Sequence, residues 1–305
     1  MAVGEPKLFE QPDRATLERI VRRWRSDAEV VRRWDLVGGS SAEMTAFEVA
    51  SSTGGRERLI LRHAVRDWHD AATEYRVLEH LAPTDILAPE PLLLDESREL
   101  LPEPYLLMRY LDGAWTIEPP DCESYARLLA DQLAAIHRAP LPTFRLPSAT
   151  QRATQRIERA EPSPARDALV AAWPLALHND ERLLHGDYWP CNVLWHDEEI
   201  GGVIDWEDAA RGDPLADLAT CRFDLTAIVG RDVGDTFTAR YLETSGVDRR
   251  DLPYWDLLAA LHAAPHLDEW SEGWLELGYA DLDRSSLHRH HDAFVQRALE
   301  ALQER

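Results

Sequence analysis

The residues best suited to chemistry lie in one segment, His185-Gly-Asp187-Tyr-Trp-Pro-Cys-Asn192, followed shortly by Val203-Ile-Asp205-Trp-Glu207. An Asp, four intervening residues and an Asn, with a later Asp at the end of an apolar run, form the donor set that phosphoryl transfer requires. One carboxylate orients the acceptor hydroxyl and takes its proton. The amide oxygen and the second carboxylate are hard ligands suited to magnesium on nucleotide phosphates. Asp187 is therefore the candidate base, and Asn192 and Asp205 are the candidate metal ligands. A lone His-x-Asp would read as an ordinary surface loop, so the combination carries the assignment.

These side chains meet only if the surrounding elements bring them together. From Arg182 to Trp206, short apolar runs (Leu183-Leu184, Val193-Leu-Trp195, Val203-Ile204) alternate with polar punctuation, which reads as short strands around a loop. The rest of this region reads as helical. The spacing predicts helices over 123–138, near 165–178, from Asp213-Pro214 to about Val229, and near 231–245, 249–263 and 283–303, with a proline-rich connection over 140–163. Before Gly113 the pattern differs. Asp13 is placed to cap a helix bearing Leu17, Ile20, Val21 and Trp24, and a three-stranded meander follows from Asp35-Leu-Val through Ala46–Val49 to Leu59–Arg62. A helix from Asp67 to Leu81 carries Glu74, and Pro89–Leu94 and Tyr105–Met108 add two short strands. The expected class is α+β, with an N-terminal antiparallel-sheet domain over 1–110, leading helix included, and a mainly helical domain over 111–305.

Composition narrows the chemistry. With 305 residues and 45% apolar content the chain can bury a core. Lys+Arg 33 against Asp+Glu 55 gives a net charge of −22, which argues against a nucleic-acid partner or a polybasic membrane anchor. The charge is uneven, −5 over residues 1–110 and −17 over 111–305. Lys7 is the only lysine, so any cation the chemistry needs is an arginine. Cys122, Cys191 and Cys221 form no CxxC pair, which leaves no sign of a disulfide framework or a structural zinc site. No apolar run approaches the roughly 20 residues of a membrane span, and Met1–Glu10 lacks a signal-peptide pattern, so a cytoplasmic location is expected.

The two motifs together resemble the aminoglycoside phosphotransferase and choline kinase family of small-molecule kinases. That family's loop is H-G-D-x-x-x-x-N, and its second motif is I-D-W-E followed by G-D-P-x-x-D-L-A; here they stand as His185–Asn192, Ile204–Glu207 and Gly212-Asp-Pro-Leu-Ala-Asp-Leu-Ala219. The likeness extends to Leu61-Arg62, the helix around Glu74, Leu107-Met-Arg-Tyr-Leu-Asp-Gly113 and Ile136-His137, covering about residues 35–225. It implies a bilobal, protein-kinase-like fold with ATP or GTP between the lobes, Mg2+ as cofactor, and transfer of the γ-phosphoryl group to a small-molecule hydroxyl. In that carry-over Asp187 is the catalytic group and His185 braces its loop. Glu207 supports the metal site, while Asp213 and Asp217 cap helices and hold backbone. Two departures stand out. Arg62 occupies the place of the usual nucleotide-anchoring Lys, with Glu74 as its partner, and Gly38-Gly-Ser-Ser-Ala-Glu-Met44 is not G-x-G-x-x-G. Gly39 and Ser40 are candidate phosphate-facing residues, although an ordinary hairpin turn fits them equally. Met108 and Tyr110 meet the adenine in the family reading, or form a core strand and its exit.

For the acceptor, the resemblance places the pocket among the C-terminal helices. Asp268, Glu269 and Glu272 with Trp270 form a candidate site for a cationic acceptor such as an aminoglycoside or amino alcohol, against the plain alternative of a solvated helix face. A role in antibiotic resistance is one implication; a neutral macrolide-like antibiotic or another metabolite is the alternative acceptor. His288, His290, His291 and Asp292 read as a solvated face, not as metal ligands. A catalytically silent nucleotide-binding regulator is the competing class. A protein kinase is disfavoured by the lack of that family's glycine-rich loop and of an A-P-E segment.

Overall fold

The computed structural model describes residues 11–35, 42–64, 71–176 and 178–304. Gly39 and Ser40 lie outside these residues. The chain divides into two compact units, Met1–Leu111 and Asp112–Arg305.

In the first unit, α1 (Arg14–Trp24) starts at Asp13, whose carboxylate accepts a hydrogen bond from the Thr16 amide at 2.8 Å. Leu17, Ile20 and Val21 point inward and are fully buried. They pack on a five-stranded antiparallel sheet of order β1-β2-β3-β5-β4, built from β1 (Ala28–Asp35), β2 (Ala42–Ser51), β3 (Arg56–Ala64), β4 (Pro91–Asp95) and β5 (Tyr105–Arg109). Val30, Phe47, Val49, Leu59, Leu61, Tyr105 and Leu107 complete that core. α2 (Ala71–Leu81) follows β3. The first strand begins at Ala28, seven residues before the expected Asp35. Its Arg32 and Arg33 mask the strand period: Arg33 Nη1 donates to the Pro12 carbonyl at 2.8 Å, and Arg32 is met across the sheet. Glu48 of β2 accepts from Arg32 at 2.9 Å and from Arg56 of β3 at 2.7 Å.

The second unit is mainly helical. α3 (Cys122–Arg138) is capped by Asp121, and α5 (Pro164–Ala172), α6 (Leu215–Asp224), α7 (Arg231–Ser245), α8 (Leu252–Ala263), α9 (Leu267–Glu276) and α10 (Arg284–Gln303) follow in chain order. α8 buries Trp255, Leu257, Leu258, Ala260 and Ala263 around most of its circumference, as a helix with neighbours on several sides must. It packs against α5, α6 and α10. Two small antiparallel ribbons interrupt the helices: β6 (Arg182–Leu184) pairs with β9 (Ala210–Gly212), and β7 (Val193–His196) with β8 (Glu199–Val203). Among the described residues no helix is long and apolar enough to cross a membrane.

One helix replaces an expected connection. α4 (Ala149–Arg159) lies inside the stretch read as a proline-rich link over 140–163. Only Ala153 and Ile157 of this helix are buried, and its other side chains are mostly polar, so it gives little apolar period. Its start is set by Ser148, whose hydroxyl accepts from the Gln151 amide. Ser148→Ala is expected to lower unfolding stability by about 1 kcal/mol, read from urea denaturation; an unchanged midpoint would show that the cap contributes nothing here.

Candidate active site

The ribbons explain why two distant segments meet. β6 leads into the loop His185–Asn192, which enters β7; β8 leads into Ile204–Ala209, which enters β9. Because β6 pairs with β9 and β7 with β8, the two loops leave nested ribbons at the same end and run side by side.

Their approach is close. Gly186 has φ +86°, and a Cβ there would lie 1.9 Å from the Asp208 carbonyl oxygen, so only glycine fits. His185 is fully buried and joins the loops. Its Nε2–H donates to the Ile204 carbonyl at 2.9 Å, while Nδ1 accepts from the Asp187 amide at 3.3 Å. That pattern requires the neutral ring, and burial depresses its pKa in the same direction. The ring lies against Trp206, with centroids 4.6 Å apart.

Behind the loop sits Asp217 of α6. Its Oδ2 accepts from the His185 amide at 2.7 Å and its Oδ1 from the Gly186 amide at 3.0 Å, and His137 of α3 lies 3.1 Å from Oδ2. Burial would raise the pKa of this carboxyl, but these hydrogen bonds outweigh it and hold the pKa below the usual range. Asp213 accepts from the Leu215 amide at the start of α6 and from Asn179.

At the front, Asn192 Nδ2 donates to the Asp187 carbonyl at 2.9 Å and to its carboxylate at 3.0 Å. Both amide hydrogens are thereby committed, which leaves Oδ1 as the group this side chain can offer a cation. Asp205 follows β8 with φ +67°, a left-handed conformation uncommon outside glycine. Burial, followed by the charges of Asp205 and Asp208, pushes Asp187 up to about 7. Repulsion among these carboxylates makes the site favourable for a divalent cation. Among the described residues no three His, Cys, Asp or Glu side chains are grouped as a metal site. Magnesium needs no such cage, because it takes one or two protein oxygens with phosphates and waters, and Asn192 with Asp205 is a donor set of that kind.

In the first unit, Arg62 Nη1 lies 3.0 Å from Glu74 Oε1, both side chains buried. Met108 is buried within β5, and the Tyr110 amide donates to the Arg58 carbonyl. The candidate acceptor residues on α9 differ in their contacts. Asp268 is held by Arg284 and His288 of α10, each at 2.8 Å. Glu269 and Glu272 are exposed, and Trp270 stacks on His266. Trp274 instead packs edge-on against Trp189 of the catalytic loop, with Trp115 and Tyr279 alongside.

Two groups near Asp187 had no distinguishing sequence signal. Asp224, the last residue of α6, is partly buried and makes no hydrogen bond or ion pair among the described residues; burial and then the charge of Asp187 push its pKa well up. Arg156 of α4 is exposed and lines a small cavity with Gly186.

A sequence profile of the phosphotransferase enzyme family matches residues 38–255. The chain belongs to that family. Homoserine kinase of Chelativorans sp. (strain BNC1) is 28% identical over 229 residues, covering 68% of this chain and 70% of that protein. Mouse acyl-CoA dehydrogenase family member 10 is 30% identical over 174 residues, half of this chain but only 16% of the mouse protein's length. Among solved structures, a thermostable mutant of aminoglycoside phosphotransferase APH(4)-Ia in a ternary complex with ADP and hygromycin B superposes with a TM-score of 0.63. It is 21% identical and covers 92% of this chain and 98% of that one, a likeness of fold. This phosphotransferase-family chain thus has the expected α+β class, an antiparallel sheet region followed by a helical one.

Gly186→Ala is expected to force the two loops apart and to lower the melting temperature by several degrees, read by calorimetry. A melting temperature unchanged from wild type would contradict the close approach. Asp217 carries the acid dependence of this region. Its folded pKa lies below the unfolded value, so its contribution is complete above about pH 4 and is lost as pH falls through the folded pKa. Asp217→Asn should therefore flatten the fall of unfolding free energy below about pH 4; an unaltered slope would refute the linkage.

Proposed function

We propose that this phosphotransferase-family protein transfers the γ-phosphoryl group of ATP, or GTP, to a hydroxyl of a small amine-bearing molecule. The observation that carries the reading is the meeting of Asp187, Asn192 and Asp205 on two loops locked together by His185. Asp187 aims the acceptor hydroxyl at the phosphorus; the acceptor O–P bond forms as the bond to the leaving nucleoside diphosphate breaks, and the hydroxyl proton passes to Asp187 and then to solvent. Asn192 and Asp205 would hold Mg2+, which when bound supplies the positive charge that offsets phosphate oxygens and neighbouring carboxylates. In the first unit, the Arg62–Glu74 pair is assigned to nucleotide phosphates, with Arg62 keeping the charge of a lysine on a larger, planar group. Met108 and Tyr110 are assigned to the base.

For the acceptor, Glu269 and Glu272 on α9 are the candidate anionic contacts, and Asp224 at the end of α6 is a further one. The Asp224 carboxylate has no hydrogen-bond or ion-pair partner among the described residues, whereas Asp268 is engaged by α10. Trp189, joined to Trp274, supplies an apolar wall on the catalytic loop. The homoserine kinase relatives support a metabolic amino alcohol, and the complex with hygromycin B supports an aminoglycoside. The small carboxylate set around Asp187 favours the first.

Asp187→Asn should reduce acceptor-dependent ADP release by roughly a thousandfold while magnesium–nucleotide binding persists, measured by a coupled assay and by titration calorimetry. Wild-type protein that binds nucleotide yet phosphorylates no hydroxylated amine would establish the silent regulatory module instead.

A further inference from the structure

α4 buries only Ala153 and Ile157, yet it is docked on the segment that carries Asp205. Three contacts fix it there. Just before the helix begins, the Pro147 carbonyl accepts from the Arg211 amide of β9 at 2.9 Å. A Cβ at Gly212 would lie 2.6 Å from the Ala149 Cβ, so the first turn of α4 sits directly against β9. Further along, Arg152 Nη1 donates to the Asp208 carbonyl at 2.6 Å and lies 3.4 Å from the Asp208 carboxylate. Trp173, at the end of α5, donates from Nε1 to Thr154 Oγ1 at 2.8 Å and steadies the helix in turn.

Asp208 closes a single 3-10 turn, Trp206–Asp208, that starts from Asp205. Asp205 itself has φ +67°, a conformation that a free chain seldom keeps, so the residues on both sides of it must be held. On one side His185 holds the Ile204 carbonyl. On the other, Arg152 holds the Asp208 carbonyl, which also faces Gly186. The side chains of Arg152 and Asp208 are 31% and 51% exposed, so their charge pairing alone adds little stability. The bond to the backbone carbonyl is the part that constrains the loop.

We propose that Arg152 is a positioning residue for the metal ligand Asp205: by holding the turn that follows Asp205, it keeps that carboxylate in the place from which it takes a divalent cation. This rests on the reading of Asn192 and Asp205 as the donor pair for Mg2+, and it extends that site to a helix outside both sequence motifs. The competing role is a plain counter-charge. A guanidinium acting on the site only through its positive charge would weaken cation binding, and its removal would strengthen it. The two roles therefore predict opposite signs.

The test titrates Mn2+ into the full-length protein with ADP present and reads the protein-bound ion from its enhancement of water proton relaxation, which differs from that of the ion on free ADP. Arg152→Met, which keeps an unbranched stem but no donor, should bind Mn2+ roughly tenfold more weakly than wild type. Arg152→Lys, which keeps a charged donor, should recover part of that loss. Unchanged or tighter binding in Arg152→Met overturns the proposal, as does an Arg152→Lys protein no better than Arg152→Met. Hydrogen exchange at the Ala209 amide, which donates to the Trp206 carbonyl at 3.1 Å, gives a second reading without metal or nucleotide. It should speed up roughly tenfold in Arg152→Met while the His185 and Gly186 amides keep their wild-type rates. An unchanged rate at Ala209, or faster exchange throughout α6 and α8 as general loss of stability would give, refutes a positioning role. Wild-type protein that binds no Mn2+ with ADP present would reject the reading of Asp205 as a metal ligand, while the exchange rates would still decide whether Arg152 braces the turn.

Discussion

The second unit depends on one carboxylate that faces no substrate. Asp217 is buried at the start of α6 and receives two consecutive backbone amides from the catalytic loop, with His137 of α3 against the same oxygen that His185 meets. Two adjacent amides can point at one carboxylate only if the chain turns sharply, and Gly186 supplies that turn with a positive φ. The turn faces the His185 ring toward Ile204 and brings the Asp208 carbonyl to the glycine, so the second loop is fixed by the same contact. Removing Asp217 would leave two buried donors without an acceptor, which costs far more than the net value of either hydrogen bond.

This arrangement separates holding from reacting. His185, Asp213 and Asp217 spend their polar atoms on backbone and on neighbouring side chains. Asp187, Asn192 and Asp205 stand on the loops so held, where the charges of Asp205 and Asp208 act on Asp187 and Asn192 donates to it.

The readable parts of the sequence were those in which chemistry or burial fixes residue type. The spacing from Asp187 to Asn192 and the apolar run before Asp205 are legible in sequence, and the two segments stand together in the fold. Helices with broad apolar faces, such as α3 and α10, fall where their spacing puts them. The parts that could not be read are polar. α4 rests on Ala153 and Ile157 alone, so its apolar period is too thin to mark a helix. β1 presents two arginines whose partners lie elsewhere, Glu48 on another strand for Arg32 and the Pro12 carbonyl for Arg33. Asp224 is one of 55 acidic residues, and nothing local marks it as the one near Asp187; the run on α9 stood out in sequence although Asp268 is occupied by α10. Composition shows where charge is dense, while the fold decides which charge is left uncompensated.

The lock itself can be measured residue by residue through native-state hydrogen exchange at the His185 and Gly186 amides. If Asp217 holds the catalytic loop, both amides exchange only through global unfolding in the wild-type protein and through fast local opening in Asp217→Asn. Fast exchange at these two amides in the wild-type protein, with the surrounding helices still protected, would contradict the account.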